Sequence, residues 1–209
     1  MKIIILTILS YLIGSIPTAF ILTKKFRGED LREFGSGNVG ATNAARVLGF
    51  KTGAFVAVVD ILKGYFTVFL AQIILPKDIS VYIIFILGLA VIIGHNYSLF
   101  LNFSGGKGVA TTLGVVMRIL PLSFLIFVIV WILITVITRY VSLASIMAAI
   151  SLAFSSYFLK VNSAYFYFMS ILAIIIIISH HENINRLIKG TENRMSWPPN
   201  KKRGDNNEK

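Results

Sequence analysis

Seven stretches of the chain run apolar with little interruption, at about residues 3–23, 53–75, 79–94, 107–120, 122–138, 141–159 and 164–180, and polar residues gather between them. A helix needs roughly 20 apolar residues to cross a hydrocarbon core, so the pattern predicts an all-α integral membrane protein. The fourth run is short: at about 1.5 Å per residue, about 14 residues cover about 21 Å of a core roughly 30 Å thick, which leaves a crossing and a re-entrant piece both open. Lys2 ahead of an apolar stretch suggests a signal peptide. The run from Ile3 to Thr23 is longer than a usual signal core, however, and no small-x-small cleavage site precedes Lys24, so an uncleaved first span is expected.

The distribution of basic residues decides how many runs cross. If all seven do, the loops at 24–51, around 107 and around 139 share one face with everything from 181 onward. That face then carries all the Lys and Arg except Lys2, Lys77, Arg118, Lys160 and the intramembrane Lys63. Without the fourth crossing, the basic residues after 181 would lie opposite those at 24–51, against the positive-inside bias. The expectation is a seven-transmembrane-helix bundle with its N-terminus outside and its C-terminus cytoplasmic. It forms one domain over 1–195, followed by a basic polar cytoplasmic tail at 196–209. No internal repeat is apparent, which weighs against an inverted-repeat transporter.

Composition sharpens the class. Hydrophobic residues make up 56% of the 209 and charged residues 14%, with a mean hydropathy of +0.80, too little polar surface to cover a water-soluble globule. The absence of cysteine excludes disulfides, thiolate catalysis and cysteine metal sites. A net charge of +11 fits attraction to anionic membrane lipids, and beside a bilayer the Lys201–Arg203 run is better read as part of a solvated, lipid-attracted end than as a nucleic-acid contact.

Three polar clusters carry the candidate chemistry, and the expected topology puts all three at the cytoplasmic face. In "FGSGNVGATNAARVLG" (34–49), glycines allow tight turns, while Ser36, Asn38, Thr42 and Asn43 offer hydroxyl and amide groups and Arg46 a rigid fork of donors. Such a set suits a phosphate or polyol; a Gly/Asn-rich turn capping a short helix is the plainer alternative. In "GHNYSLFLNFSGGKGVAT" (94–111), Ser104, Gly105, Gly106 and Gly108 surround Lys107 at the head of an apolar run. Freed backbone amides, a helix N-terminus and a full positive charge make an anion cradle. It is not a Walker A loop, since Leu101 stands where that motif needs glycine and Gly108 where it needs Ser or Thr. His95 either lines the same cavity or satisfies the end of the third span. In "HHENINRLIKGTENR" (180–194), His180 and Asn183 share a helical face with Arg186 nearby, where an imidazole could transfer protons near neutrality. His181, Lys189 and Arg194 read as an interfacial helix end. Asp60 and Lys63, three apart inside the second span, read as a buried ion pair. No spacing suits a metal, and no cofactor is implied.

Taken together, "GSGNVGATNAAR" (35–46), "GHNYSLFLNFSGGKGVAT" (94–111) and "HENINRLIKGTENR" (181–194, with His180 just before) resemble the three signature motifs of the bacterial acyl-phosphate:glycerol-3-phosphate acyltransferase family, PlsY. Order, spacing and length match along nearly the whole chain. The resemblance implies a seven-helix enzyme of the bacterial inner membrane that transfers a fatty acyl group from acyl phosphate to glycerol 3-phosphate, giving lysophosphatidic acid. It places the donor at the glycine loop with Lys107, and the acceptor at Ser36, Arg46, His180 and Asn183. The implied partners are these two substrates and membrane lipids, with no nucleic acid, and a monomer is compatible with the reading. An organophosphate transporter is the alternative; it should show polar access from both faces, and here the polar residues concentrate on one.

Overall fold

The structure, a computed structural model, describes residues 1–195; the tail expected at 196–209, with the Lys201–Arg203 run, lies outside the described residues. Those residues form helices and no strand. In chain order they are α1 (Lys2–Ser15), α2 (Thr18–Arg27), α3 (Ala41–Leu48), α4 (Phe50–Ile74), α5 (Val81–Asn96), α6 (Val109–Ile119), α7 (Pro121–Thr138), α8 (Val141–Phe158), α9 (Ser163–Ser179) and α10 (His181–Ile188), with short 3-10 turns at Leu31–Glu33 and Leu99–Leu101.

Among the described residues, five helical segments are long and apolar enough to cross a membrane: Lys2–Arg27, Phe50–Ile74, Val81–Leu101, Pro121–Thr138 and Val141–Phe158. A sixth is available if α9 and α10, bent by 61° at His180, count as one broken span. The fourth apolar run condenses to the 11-residue α6, which at about 1.5 Å per residue reaches only about half of a hydrocarbon core. The outer surface is what lipid requires: Ile4, Phe66, Ile73, Ile132, Val136 and Ile174 are all exposed. Inside, Leu87, Val91, Ile92, Val115, Leu172 and Ile176 pack as one core, with Phe85 stacked on Phe168 at 4.1 Å between centroids.

The first apolar run is broken. Pro17 has no N–H to continue the ladder, so α1 stops at Ser15 and α2 restarts at Thr18. Freed carbonyls at membrane depth need donors, and distant side chains supply them. The Lys63 ammonium donates to the Ile16 carbonyl, and the Ser98 hydroxyl to that of Ser15 at 2.5 Å. Lys63 also pairs with Asp60 at 2.8 Å, so the intramembrane ion pair expected from the sequence doubles as the splint of this break.

Among the described residues, two helix pairs meet through reciprocal glycines. A Cβ on Gly64 of α4 would collide with the Thr111 carbonyl oxygen of α6, and one on Gly114 of α6 with the Ile61 carbonyl oxygen of α4. Gly14 of α1 and Gly94 of α5 face the carbonyls of Val91 and Tyr11 in the same reciprocal way. Backbones in direct contact maximise dispersion and packing, which hold helices together where no water is expelled. Gly64→Ala is therefore expected to push α4 and α6 apart. A backbone carbonyl cannot swing aside, so overpacking of this kind costs about 1–3 kcal/mol. The measurement is thermal unfolding in detergent, with Leu62→Ala on the exposed side of α4 as the small-effect control; equal melting of the two would contradict the packing.

Candidate active site

The three polar clusters converge on one cavity of about 360 Å³. The turn before α3 contributes Ser36 and Asn38 and α3 itself Thr42, Asn43 and Arg46, the loop before α6 contributes Lys107 and Gly108, and the bend after α9 contributes His180 with Asn183 from the first turn of α10. Asp60 and His95 from the helix interior join them. One wall is apolar, built by Phe127, Val128, Trp131 and Ile132 of α7 with Val141 of α8. Cations and amides at one side and a hydrocarbon-like wall at the other suit a ligand with a charged head and an apolar chain.

In the first cluster, the residues divide by task. Asn43 is buried and turned into its own loop: its Oδ1 accepts from the Ser36 N–H at 2.9 Å, and its Nδ2 donates to the Phe34 carbonyl at 2.9 Å. It fixes the loop. Asn38 accepts from the Gly40 N–H at 3.0 Å in a local turn. Arg46, in the last turn of α3, remains open to solvent at the cavity rim beside Thr42, so its guanidinium is free to meet an anion.

The second cluster departs from the cradle drawn from the sequence. The Ser104 amide donates to the Leu101 carbonyl at 3.1 Å and the Gly106 amide to the His95 carbonyl at 2.9 Å, so neither is available to a phosphate. Ser104, Gly105 and Gly106 do not line the main cavity; Gly105 and Gly106 border a much smaller one beside His95 and Asp60. What the cavity receives is Lys107, and Gly108 at the cap of α6, which turns the chain into the helix at φ +73°. The helix start and one ammonium, rather than a ring of amides, form the positive feature here.

The third cluster is organised around a residue that the sequence analysis did not single out. The buried Glu192 carboxylate accepts from Ser142 Oγ at 2.8 Å, Asn183 Nδ2 at 2.7 Å and Arg186 Nε at 2.8 Å. Burial alone would raise its pKa, but these donors outweigh it and hold the carboxyl below its ordinary value. Glu192 fixes the Asn183 amide, so Asn183 Oδ1 is left to accept from the Lys107 ammonium. Arg186 is occupied by Glu192 and, at 3.6 Å, by Glu182, and it does not line the cavity. A lone carboxylate just past the Gly190 turn was the available signal for Glu192; its partner Ser142, on α8, had none.

The two adjacent histidines separate cleanly. His180 is buried and lines the cavity, whereas His181 is exposed. His180 Nδ1 lies 2.8 Å from the Ile176 carbonyl, which can only accept, so in the neutral ring Nδ1 carries the proton and Nε2 is the free base. Burial, reinforced by nearby Arg186, pushes the Lys107 ammonium down to about 8.

The family described as Glycerol-3-phosphate acyltransferase matches residues 4–190. The chain is 44% identical over 191 residues to a glycerol-3-phosphate acyltransferase of Fusobacterium nucleatum, covering 91% of this chain and 96% of the relative. It is 44% identical over 207 residues to that of Staphylococcus aureus strain Newman, covering 94% and 100%. Among solved structures, the glycerol 3-phosphate form of PlsY (YgiH), an integral membrane glycerol 3-phosphate acyltransferase, superposes with a TM-score of 0.87 at 41% identity, covering 94% of this chain and 96% of that one. Its lysophosphatidic acid form gives 0.85 at 39%, with the same coverage. With three motifs gathered at one cavity and a match running almost from end to end, the chain belongs to the glycerol-3-phosphate acyltransferase family, as a multi-pass membrane enzyme.

Proposed function

We propose that this enzyme transfers a fatty acyl group from acyl phosphate to the 1-hydroxyl of sn-glycerol 3-phosphate. The products are 1-acyl-sn-glycerol 3-phosphate and inorganic phosphate, and the reaction is the first step of bacterial phospholipid synthesis. The observation that carries this reading is the meeting of Arg46, Lys107 and His180, from three separated segments, at one cavity with an apolar wall. The glycerol 3-phosphate and lysophosphatidic acid forms of the similar PlsY structures support the acceptor and the product.

The chemistry needs little from the protein beyond placement and charge. An acyl phosphate is a mixed anhydride with a good leaving group, so no covalent enzyme intermediate is required. Arg46 and Ser36 grip the acceptor phosphate and direct the 1-hydroxyl toward the acyl carbon. That oxygen bonds to the carbonyl carbon, the carbon–oxygen bond to phosphate breaks, and Lys107 with the start of α6 neutralises the charge on the departing phosphate. The hydroxyl proton passes to the phosphate, directly or through His180 Nε2. Asn183, fixed by Glu192, keeps Lys107 on station.

For topology, we read seven crossings in the bacterial cytoplasmic membrane, with α6 as a short fourth one. The N-terminus is outside and the site cytoplasmic, with one catalytic domain over 1–195 and a cytoplasmic tail at 196–209. The concentration of Lys and Arg on one set of loops supports this. The deciding experiment supplies purified protein with long-chain acyl phosphate and glycerol 3-phosphate. Inorganic phosphate and lysophosphatidic acid should appear in equal amounts, and acyl-CoA should give no product. Turnover with acyl-CoA, or phosphate uptake into liposomes without a donor, would overturn the assignment.

A further inference from the structure

α3 and α4 form a corner on a single residue, and that corner carries Arg46. α3 ends at Leu48 and α4 starts at Phe50, and Gly49 between them stands at φ 93° and ψ 161°, a backbone region that is essentially glycine's alone. The two helices pack on each other from this joint. The Thr52 hydroxyl donates to the Leu48 carbonyl at 3.4 Å across it. Four residues to either side, Ala45 and Gly53 meet inside the angle. A Cβ built on Gly53 would collide with the Ala45 Cβ and lie 2.7 Å from the Ala45 N and Cα.

The corner is held shut from within. Ala44 on one arm and Val56 on the other are buried with Ala19 and Leu31 in a small apolar cluster, and Ala41 and Val47 of α3 pack against it. Gly53 is buried as well. An eight-residue helix has little stability of its own, so where α3 lies is decided by this packing. Ala45 is followed directly by Arg46, and Arg46 lines the cavity, so the fit at Ala45 fixes the height at which the guanidinium enters it. Gly53 itself stays outside: the α4 residues that line the cavity are Ala57, Asp60 and Ile61.

We propose that Gly53 is a positioning residue for Arg46: its missing side chain lets α3 close on α4, and the closed corner brings the guanidinium to the cavity rim. A methyl group at 53 would press on the backbone N and Cα of Ala45, which cannot turn aside as the end of a side chain would. α3 must then lift as a body, and Arg46 lifts with it. A displacement of about 1 Å in a group that holds substrate costs up to about 100-fold in rate. The inference rests on Arg46 meeting a substrate phosphate, and it holds whichever of the two phosphates that is. It assigns Gly53 no contact with substrate.

The test is steady-state kinetics of the full-length protein for Gly53→Ala, Arg46→Ala and the double variant, with acyl phosphate and glycerol 3-phosphate varied in turn. Gly53→Ala should lower kcat/KM by about 10-fold, raising the same KM that Arg46→Ala raises and leaving the other within about 2-fold. On the Arg46→Ala background it should cost less than about 2-fold more, because the group it displaces is already gone; independent effects would multiply to the full loss of about 10-fold. A general folding defect lowers the amount of active enzyme equally with and without Arg46, and moves neither KM. Ala45→Val crowds the same contact from the α3 side and should repeat the KM change; it is read in place of Gly53→Ala where that variant yields too little folded protein. Unchanged KM values in both variants, or losses that multiply on the Arg46→Ala background, would overturn the proposal. Wild-type kinetics in Arg46→Ala would overturn the phosphate role of Arg46 and this inference with it.

Discussion

Lys107→Ala is expected to lower kcat/KM for the acyl donor by at least about 100-fold, the scale on which a single preorganised electrostatic contact acts in a site closed to bulk water. The half-buried ammonium is the cation that the glycine loop presents to the cavity, and it is aimed by Asn183 rather than free to wander. Because burial brings its pKa to about 8, the charge is present below that pH and is lost as pH rises through it. The pH profile of kcat/KM for acyl phosphate should therefore fall on its alkaline side near 8, reporting the free enzyme. Lys107→Arg, which stays protonated, should move that fall to higher pH even where its geometry costs rate. Wild-type kcat/KM in the alanine variant, or an alkaline limb that the arginine variant leaves in place, would contradict the role given to Lys107.

Arg46→Ala should cost about 100-fold, and the loss should appear in the acceptor rather than the donor. Arg46 stands open at the rim, and a bound glycerol phosphate would cover it, turning a solvated cation into a desolvated, bidentate partner whose loss falls on the scale of other electrostatic contacts in a closed site. The KM for glycerol 3-phosphate should rise while that for acyl phosphate stays near its wild-type value. Arg46→Lys should recover only part of the loss, because a point charge does not reproduce a planar fork. A change confined to the donor KM would exchange the two phosphate sites.

Much of this was legible in the chain because polar residues are rare in a membrane sequence and stand out when they cluster. Arg46, Lys107, His180 and Asn183 were marked in this way, and the cavity collects all of them. The Asp60–Lys63 pair was readable from a three-residue spacing alone. What the pattern did not carry was direction. Asn43 and Arg46 lie three apart in one short helix, yet Asn43 is spent on its own loop while Arg46 looks outward. Gly105 and Gly106 looked like a phosphate cradle, yet their lack of side chains serves close approach to His95 and Asn96. Glu192 was one carboxylate in a polar run, and only the folded chain brings Ser142 to it across fifty positions. Hydropathy also could not see the stop at Pro17, because the residues on both sides of it are apolar and composition does not record a missing N–H.

The glycine seams bear on where the molecule can breathe. α1 is locked to α5 and α4 to α6 by backbones already touching, so neither pair can slide without steric collision, and the loop between α5 and α6 is suspended between two fixed abutments. The helix most open to its surroundings is α7, of which only Ser123 and Phe127 are buried and which supplies the apolar wall of the cavity. An acyl chain lying along that wall is expected to meet the surrounding leaflet there, on the side of the cavity away from the charged residues.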